Sequence, residues 1–172
     1  MSDRSPAIAN EFIRKAGLHA RHLTHMQLQK LVYLAHGWNL AINGDALTDD
    51  IPYAWDYGPV YRDIYDALRR YGSGPVMQEI SENDFGGGKF FGTDEENRPV
   101  RAQLSAQERA VIDRVFSDYG QFHAYQLSAL THQDGTPWDQ VYNHGAGRMA
   151  PIDNLRVKRH FIDLAHRPRQ PA

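Results

Sequence analysis

The chain has no cysteine, so disulfide staples, thiolate zinc sites and cysteine nucleophiles are excluded from the outset. It also lacks any apolar run near the roughly 20 residues needed to cross a bilayer. The opening MSDRSPAIANEF has neither the basic nor the apolar region of a secretory leader. These absences lead us to expect a soluble, cytoplasmic protein. A dominant charge is missing too: the formal net charge is -2, which gives no global pull toward nucleic acid or anionic membranes. Charge is nonetheless unevenly distributed. Asp45 to Glu96 carries twelve acidic and four basic residues, whereas Arg148 to Ala172 carries six basic and two acidic.

With 172 residues, 41% of them hydrophobic, the chain is long enough for one core and short for two. The expectation is a single domain over residues 5–166, with short flexible termini at 1–4 and 167–172. No period of 20 to 50 residues recurs, which argues against a solenoid.

Helical periodicity dominates. A first helix runs from Ser5 to Gly17, with Pro6 at a tolerated first position and Ile8, Phe12 and Ile13 on one face. In the second, Thr24 and Gln27 form a capping box ahead of Leu28, Leu31, Val32, Ala35, Trp38 and Ile42, and Asn43-Gly44 ends it. Met26, Leu34 and Leu40 lie off that stripe, so this helix is expected at the centre, packed on several sides. Ile51 to Tyr57 reads as a short strand, limited by Pro52 to an edge or to its first residues. Gly58-Pro59 then turns the chain, and Pro59 opens a third helix bearing Val60, Ile64, Ala67, Leu68 and Tyr71.

Two further short strands are expected around Lys89 to Gly92 and Pro99 to Gln103, pairing with the Tyr53 strand. Ser105 and Glu108 cap a helix with Val111, Ile112, Val115, Phe116 and Tyr119 on its face. Ala124 to Thr131, a turn or two from Thr136-Pro137-Trp138, and Asp153 to His166 complete the helices, the last presenting Leu155, Phe161, Ile162 and Leu164. The predicted fold class is mainly α, in the α+β sense: about seven helices around a central amphipathic one, with a small hairpin or short sheet.

Catalytic chemistry finds little support. The nine histidines include His25 and His36 on one side of the second helix with Gln29 between them, yet no metal-binding spacing is present. Gly86-Gly87-Gly88-Lys89 is no phosphate loop, because Asn83 and Phe90 stand where a glycine and a Ser or Thr are required. Gly72-Ser73-Gly74 lacks the frame of a nucleophile elbow. Asp63 and Asp66 sit among Arg62, Arg69 and Arg70, as on an ion-paired helix face. The basic cluster Arg156, Lys158, Arg159 and His160 suits solvent or the acidic middle of the same chain. Tyr53, Trp55, Tyr57, Tyr61 and Tyr65, with Trp138 and Tyr142, read as core, or as a protein-binding patch where exposed together.

Three ordered stretches carry a resemblance. Thr24-His25-Met26-Gln27-Leu28-Gln29-Lys30-Leu31-Val32-Tyr33-Leu34-Ala35-His36-Gly37-Trp38, then Ala54-Trp55-Asp56-Tyr57-Gly58-Pro59-Val60, then Leu127-Ser128-Ala129-Leu130-Thr131-His132 with Pro137-Trp138, together resemble the Panacea antitoxin domain family of SocA-like and phage-associated GepA-like proteins. The likeness extends from about Phe12 to Tyr142. It implies an antitoxin, not an enzyme: a cytosolic, phage-associated or bacterial protein that binds and neutralises a toxin encoded by a neighbouring gene. For the SocA-like branch it further implies a proteolytic adaptor that delivers the toxin to a ClpXP-type protease. No cofactor, metal or membrane is implied, and nucleic-acid binding is disfavoured.

The polar residues at or beside motif positions are the expected partner contacts: His25, Lys30, Asp56, Tyr57, Arg62 and His132. The Gly86 to Asn97 loop is where partner choice is expected to be encoded. Two other classes compete, a DNA-binding repressor using a winged-helix arrangement and a metal-dependent hydrolase built on the histidines.

Overall fold

The computed structural model describes residues 3–85 and 97–167. The expected Lys89 to Gly92 strand and most of the Gly86 to Asn97 loop lie outside the described residues. The fold is mainly helical, with seven α-helices and one two-stranded antiparallel sheet among the described residues.

The second helix, α2 (His25–Ile42), is the axle. Thr24 Oγ1 accepts from Gln27 N and the Gln27 side chain accepts from Thr24 N, which satisfies two end amides. Around it pack α1 (Ser5–Leu18), the hairpin strand β2 (Gly58–Val60), α3 (Arg62–Leu68), α4 (Ala106–Tyr119), α5 (Ala124–Thr131) and α7 (Asn154–His166). Leu28, Leu31, Val32 and Ala35 are wholly buried. They meet Ile8 and Phe12 of α1, Ile64 of α3, Ile112 and Val115 of α4, Leu127 of α5 and Phe161 of α7 in one hydrophobic cluster. Leu34 and Leu40, off the main stripe, are buried as well, as a central position requires. Ile42, expected on that stripe, is 65% exposed because it is the last residue before the chain leaves the helix.

Three sequence expectations are corrected here. Pro59 does not open the third helix. It lies in β2, which pairs with β1 (Tyr53–Trp55) through Tyr53 opposite Val60, Ala54 opposite Pro59 and Trp55 opposite Gly58. Proline is tolerated because Ala54 turns its amide and carbonyl the other way, to Ala150 O and from Met149 N, each at 2.8 Å. Ala54–Pro59 is therefore a non-hydrogen-bonded pair, in which no donor is required of residue 59. Secondly, Pro99 to Gln103 does not join Tyr53. Pro99 bridges Ser81 and Val100 N donates to Ile80 O, while the neighbour of β1 is the segment 149–152. Thirdly, Leu155 of α7 is 59% exposed and Val157, unassigned by periodicity, is buried in its place.

The contact between α2 and α7 depends on a missing side chain. A Cβ on Gly37 would fall inside the van der Waals envelope of the Phe161 ring, which packs edge-on to Trp38 at 5.2 Å. Helix propensity alone predicts that Gly37→Ala stabilises by about 1 kcal/mol. Packing predicts the reverse. Urea denaturation should show Gly37→Ala destabilised by about 1–3 kcal/mol, and a gain in stability would contradict this reading of the interface.

Candidate functional site: a clamped hairpin tip and the cavity beside it

Asp56 and Tyr57 form the two-residue connection between β1 and β2, and the local sequence makes this turn demanding. Gly58 has φ +106°, and a Cβ there would meet Thr131 Oγ1 at 2.7 Å and Lys30 Cε at 2.8 Å. The backbone is thus held against α2 and α5 as closely as atoms allow.

Side chains, rather than a third strand, satisfy the hairpin's inward-facing backbone. Gln29 of α2 acts as a strand in miniature: its Oε1 accepts from Tyr61 N at 2.8 Å and its Nε2 donates to Tyr61 O at 3.0 Å. One residue on, Lys30 Nζ donates to Pro59 O at 3.1 Å. At the tip, Trp138 Nε1 donates to Trp55 O at 2.7 Å, His132 Nε2 lies 3.1 Å from Asp56 O, and Ser128 Oγ donates to Tyr57 O at 3.0 Å. Three consecutive carbonyls are therefore taken by three side chains from one stretch of chain. These groups come from α5, the residue that follows it, and α6 (Pro137–Tyr142), which Thr136 caps.

The aromatic members stack into a column beneath the turn. His132 and Trp138 have ring centroids 3.9 Å apart, and Trp138 and Tyr142 lie 4.5 Å apart and near parallel. Tyr142 Oη then donates to Asp56 Oδ1 at 2.9 Å, and Arg148 Nη2 pairs with Asp56 Oδ2 at 2.6 Å. Tyr57 is left pointing outward, 70% exposed.

Beside the tip lies a cavity of about 480 Å³, walled by His25, Met26 and Gln29 of α2, Trp55 to Tyr57 of the hairpin, Tyr65 of α3, and Arg148 and Met149. Burial, with a smaller contribution from the Lys30 charge, lowers the His25 pKa to about 4. Its Nε2 lies 3.1 Å from Gln29 Nε2, whose amide hydrogen it accepts as a neutral ring.

The six expected partner contacts divide accordingly. Asp56 and Tyr57 are exposed at the tip, His25 is partly buried in the cavity wall and His132 is partly buried behind the turn. Arg62 is exposed but stands apart from them, with its guanidinium 4.4 Å from the centre of the Tyr53 ring. Lys30 is corrected outright as a surface residue: it is fully buried beneath Pro59, and burial lowers its pKa to about 7. Arg148 and Met149 were missed as site residues, while Gln29 stood in a quoted motif and Tyr142 among the aromatics read as core or as a binding patch, neither of them singled out as a contact. Ser128 and Trp138 stood in the quoted motifs, but nothing in the sequence marked their side chains as partners of a distant turn. Among the described residues no three His, Asp or Glu side chains converge as metal ligands, and His36 is buried with its Nε2 2.8 Å from Asn154 Oδ1. No helix among them is long and apolar enough to cross a membrane.

Comparison with known proteins locates the chain. The family model "Antitoxin SocA-like, Panacea domain" matches residues 28–139, a stretch that contains Gln29, Lys30, the whole hairpin, Ser128, His132 and Trp138. Antitoxin SocA of Caulobacter vibrioides (strain NA1000 / CB15N) is 31% identical over 137 residues, covering 80% of this chain and 69% of that protein. No solved structure matches.

The buried Lys30 gives the clamp a pH signature. In the unfolded chain its amine titrates near 10.5, and in the folded protein near 7. Between these values the unfolded state binds a proton that the folded state does not, so stability should rise with pH from about 7 toward 10; below about 7 the full penalty applies. Lys30→Met should remove a slope of up to about 1.4 kcal/mol per pH unit. Urea denaturation of both proteins at stepped pH checks this, and equal slopes would contradict it.

Proposed function

Since the chain belongs to the SocA-like antitoxin family with the Panacea domain, we propose that it neutralises a toxin by binding it directly, with the clamped hairpin tip as the centre of the contact. The toxin is encoded by a neighbouring gene. Family membership carries the reading that the protein is an antitoxin, working by binding rather than by catalysis. The geometry supports the choice of surface. Tyr57 projects 70% exposed from a turn whose carbonyls are already bonded, so little conformational entropy remains to be lost when a partner closes on it. Tyrosine supplies large contact area on a short, stiff side chain, as interface hot spots do. Asp56 and Arg148 frame it with a charge pair open to solvent at one edge, and His25 and His132 flank the same tip. Arg62 marks the far end of the hairpin and Lys30 supports it from beneath.

Two outcomes for the bound toxin fit this reading: occlusion of its working surface, or delivery to a ClpXP-type protease in the manner of an adaptor. Coexpression separates them. The chain should rescue growth from the neighbouring gene product and copurify with it. Tyr57→Ala should weaken the complex by at least tenfold with an unchanged melting temperature. A toxin half-life that lengthens on deletion of ClpX or ClpP indicates delivery; a toxin that stays abundant and bound indicates occlusion. Failure of the wild-type chain to protect cells from the neighbouring gene product, or the harmlessness of that product, would overturn the proposal.

A further inference from the structure

We propose that the cavity beside the hairpin tip is the anchor pocket of the interface and takes an uncharged aromatic or long aliphatic side chain from the toxin. This rests on the binding reading above and specifies what that binding grips.

Charge is the first argument. Asp56 and Arg148 are the acidic and the basic residue of the lining, and they pair with each other at 2.6 Å. His25 accepts from Gln29 as a neutral ring, and burial keeps it so at physiological pH. A phosphate, carboxylate or ammonium entering the cavity would lose hydration and meet no uncompensated opposite charge. An apolar side chain loses nothing of the kind and covers Met26, Trp55, Tyr65 and Met149, which the fold leaves partly or wholly exposed.

The second is strain spent at the mouth. Met149 holds φ +67°, a left-handed conformation rarely adopted by a side chain of its size, and its amide is tied to Ala54 O at 2.8 Å. The residue is 43% exposed, so this backbone is not held for the sake of burying the thioether in the core. It sets a flexible, polarisable side chain at the rim of the cavity, where it can close over an apolar guest.

The test uses the full chain and a phage-displayed library of random linear peptides. Recovered peptides should share an uncharged aromatic or long aliphatic position, and alanine there should weaken binding about tenfold or more. Met26→Glu, which puts a charge in the wall, and Ser73→Trp, which fills the mouth from an exposed loop, should weaken it equally. If Met26→Glu fails to fold by circular dichroism, Ser73→Trp carries the test. No enrichment, a shared charged position, or binding that survives both substitutions overturns the proposal. So does a small molecule that copurifies in the cavity by native mass spectrometry, or a dimer of this chain that Ser73→Trp abolishes. Growth rescue separates the two levels. If the wild type and both variants rescue alike, the pocket assignment falls while the antitoxin reading stands; if the wild type does not rescue, the antitoxin reading falls.

Discussion

A short hairpin lying against helices must find partners for its backbone, and this molecule supplies them with side chains. A free two-stranded hairpin is marginal in water, and its inner edge here faces α2 and α5 rather than another strand. Gln29 and Lys30 bond the main chain of residues 59 and 61, while Ser128, His132 and Trp138 take the carbonyls of 55, 56 and 57. Each of these is worth about a kilocalorie per mole when made and rather more when lost with its partner buried. Together they hold the turn in one shape, which is what a recognition element needs and an isolated hairpin lacks.

The same requirement explains why stretches far apart in the sequence belong together. The α2 stretch ends the hairpin's search for partners on one side, the 127–138 stretch does so on the other, and the Ala54 to Val60 stretch is what both hold. Gly58 is the point where all three meet, with Lys30 and Thr131 too close for any side chain. A lysine is an expensive choice for the job, since burial penalises its charge and lowers its pKa to about 7. Its long stem nevertheless lets an amine reach Pro59 O from the helix without opening the core around it.

Much of this architecture could be read in advance where the signal was local. The capping boxes at Thr24 and Ser105 are present as the sequence implied, α5 runs from Ala124 to Thr131, and the apolar excess of α2 correctly marked it as central. The errors came where the deciding contact was distant. Proline suits a helix start and a non-hydrogen-bonded strand position equally well, and only the bonds of Ala54 to residues 149 and 150 distinguish them. Lys30 reads as a surface charge by composition, and nothing nearby in the chain shows that a hairpin lies over it. Arg148 and Met149 reach the cavity through a loop with left-handed residues at Asn143, His144 and Met149, a path that no periodicity encodes. Asp56 and Tyr57 were legible as candidate contacts from their polarity and motif positions, but the sequence reading ran a strand through them and put the turn at Gly58-Pro59, two residues beyond where the pairing of Trp55 with Gly58 sets it.

The claim that the clamped tip is the gripping surface is tested most directly by amide hydrogen exchange of the chain, free and bound to the toxin from the neighbouring gene. The account predicts that binding slows exchange most at residues 55–57 and 148–149, around Tyr57 and the cavity mouth. Slowed exchange confined to the outer faces of α4 and α7, with the tip unchanged, would contradict it.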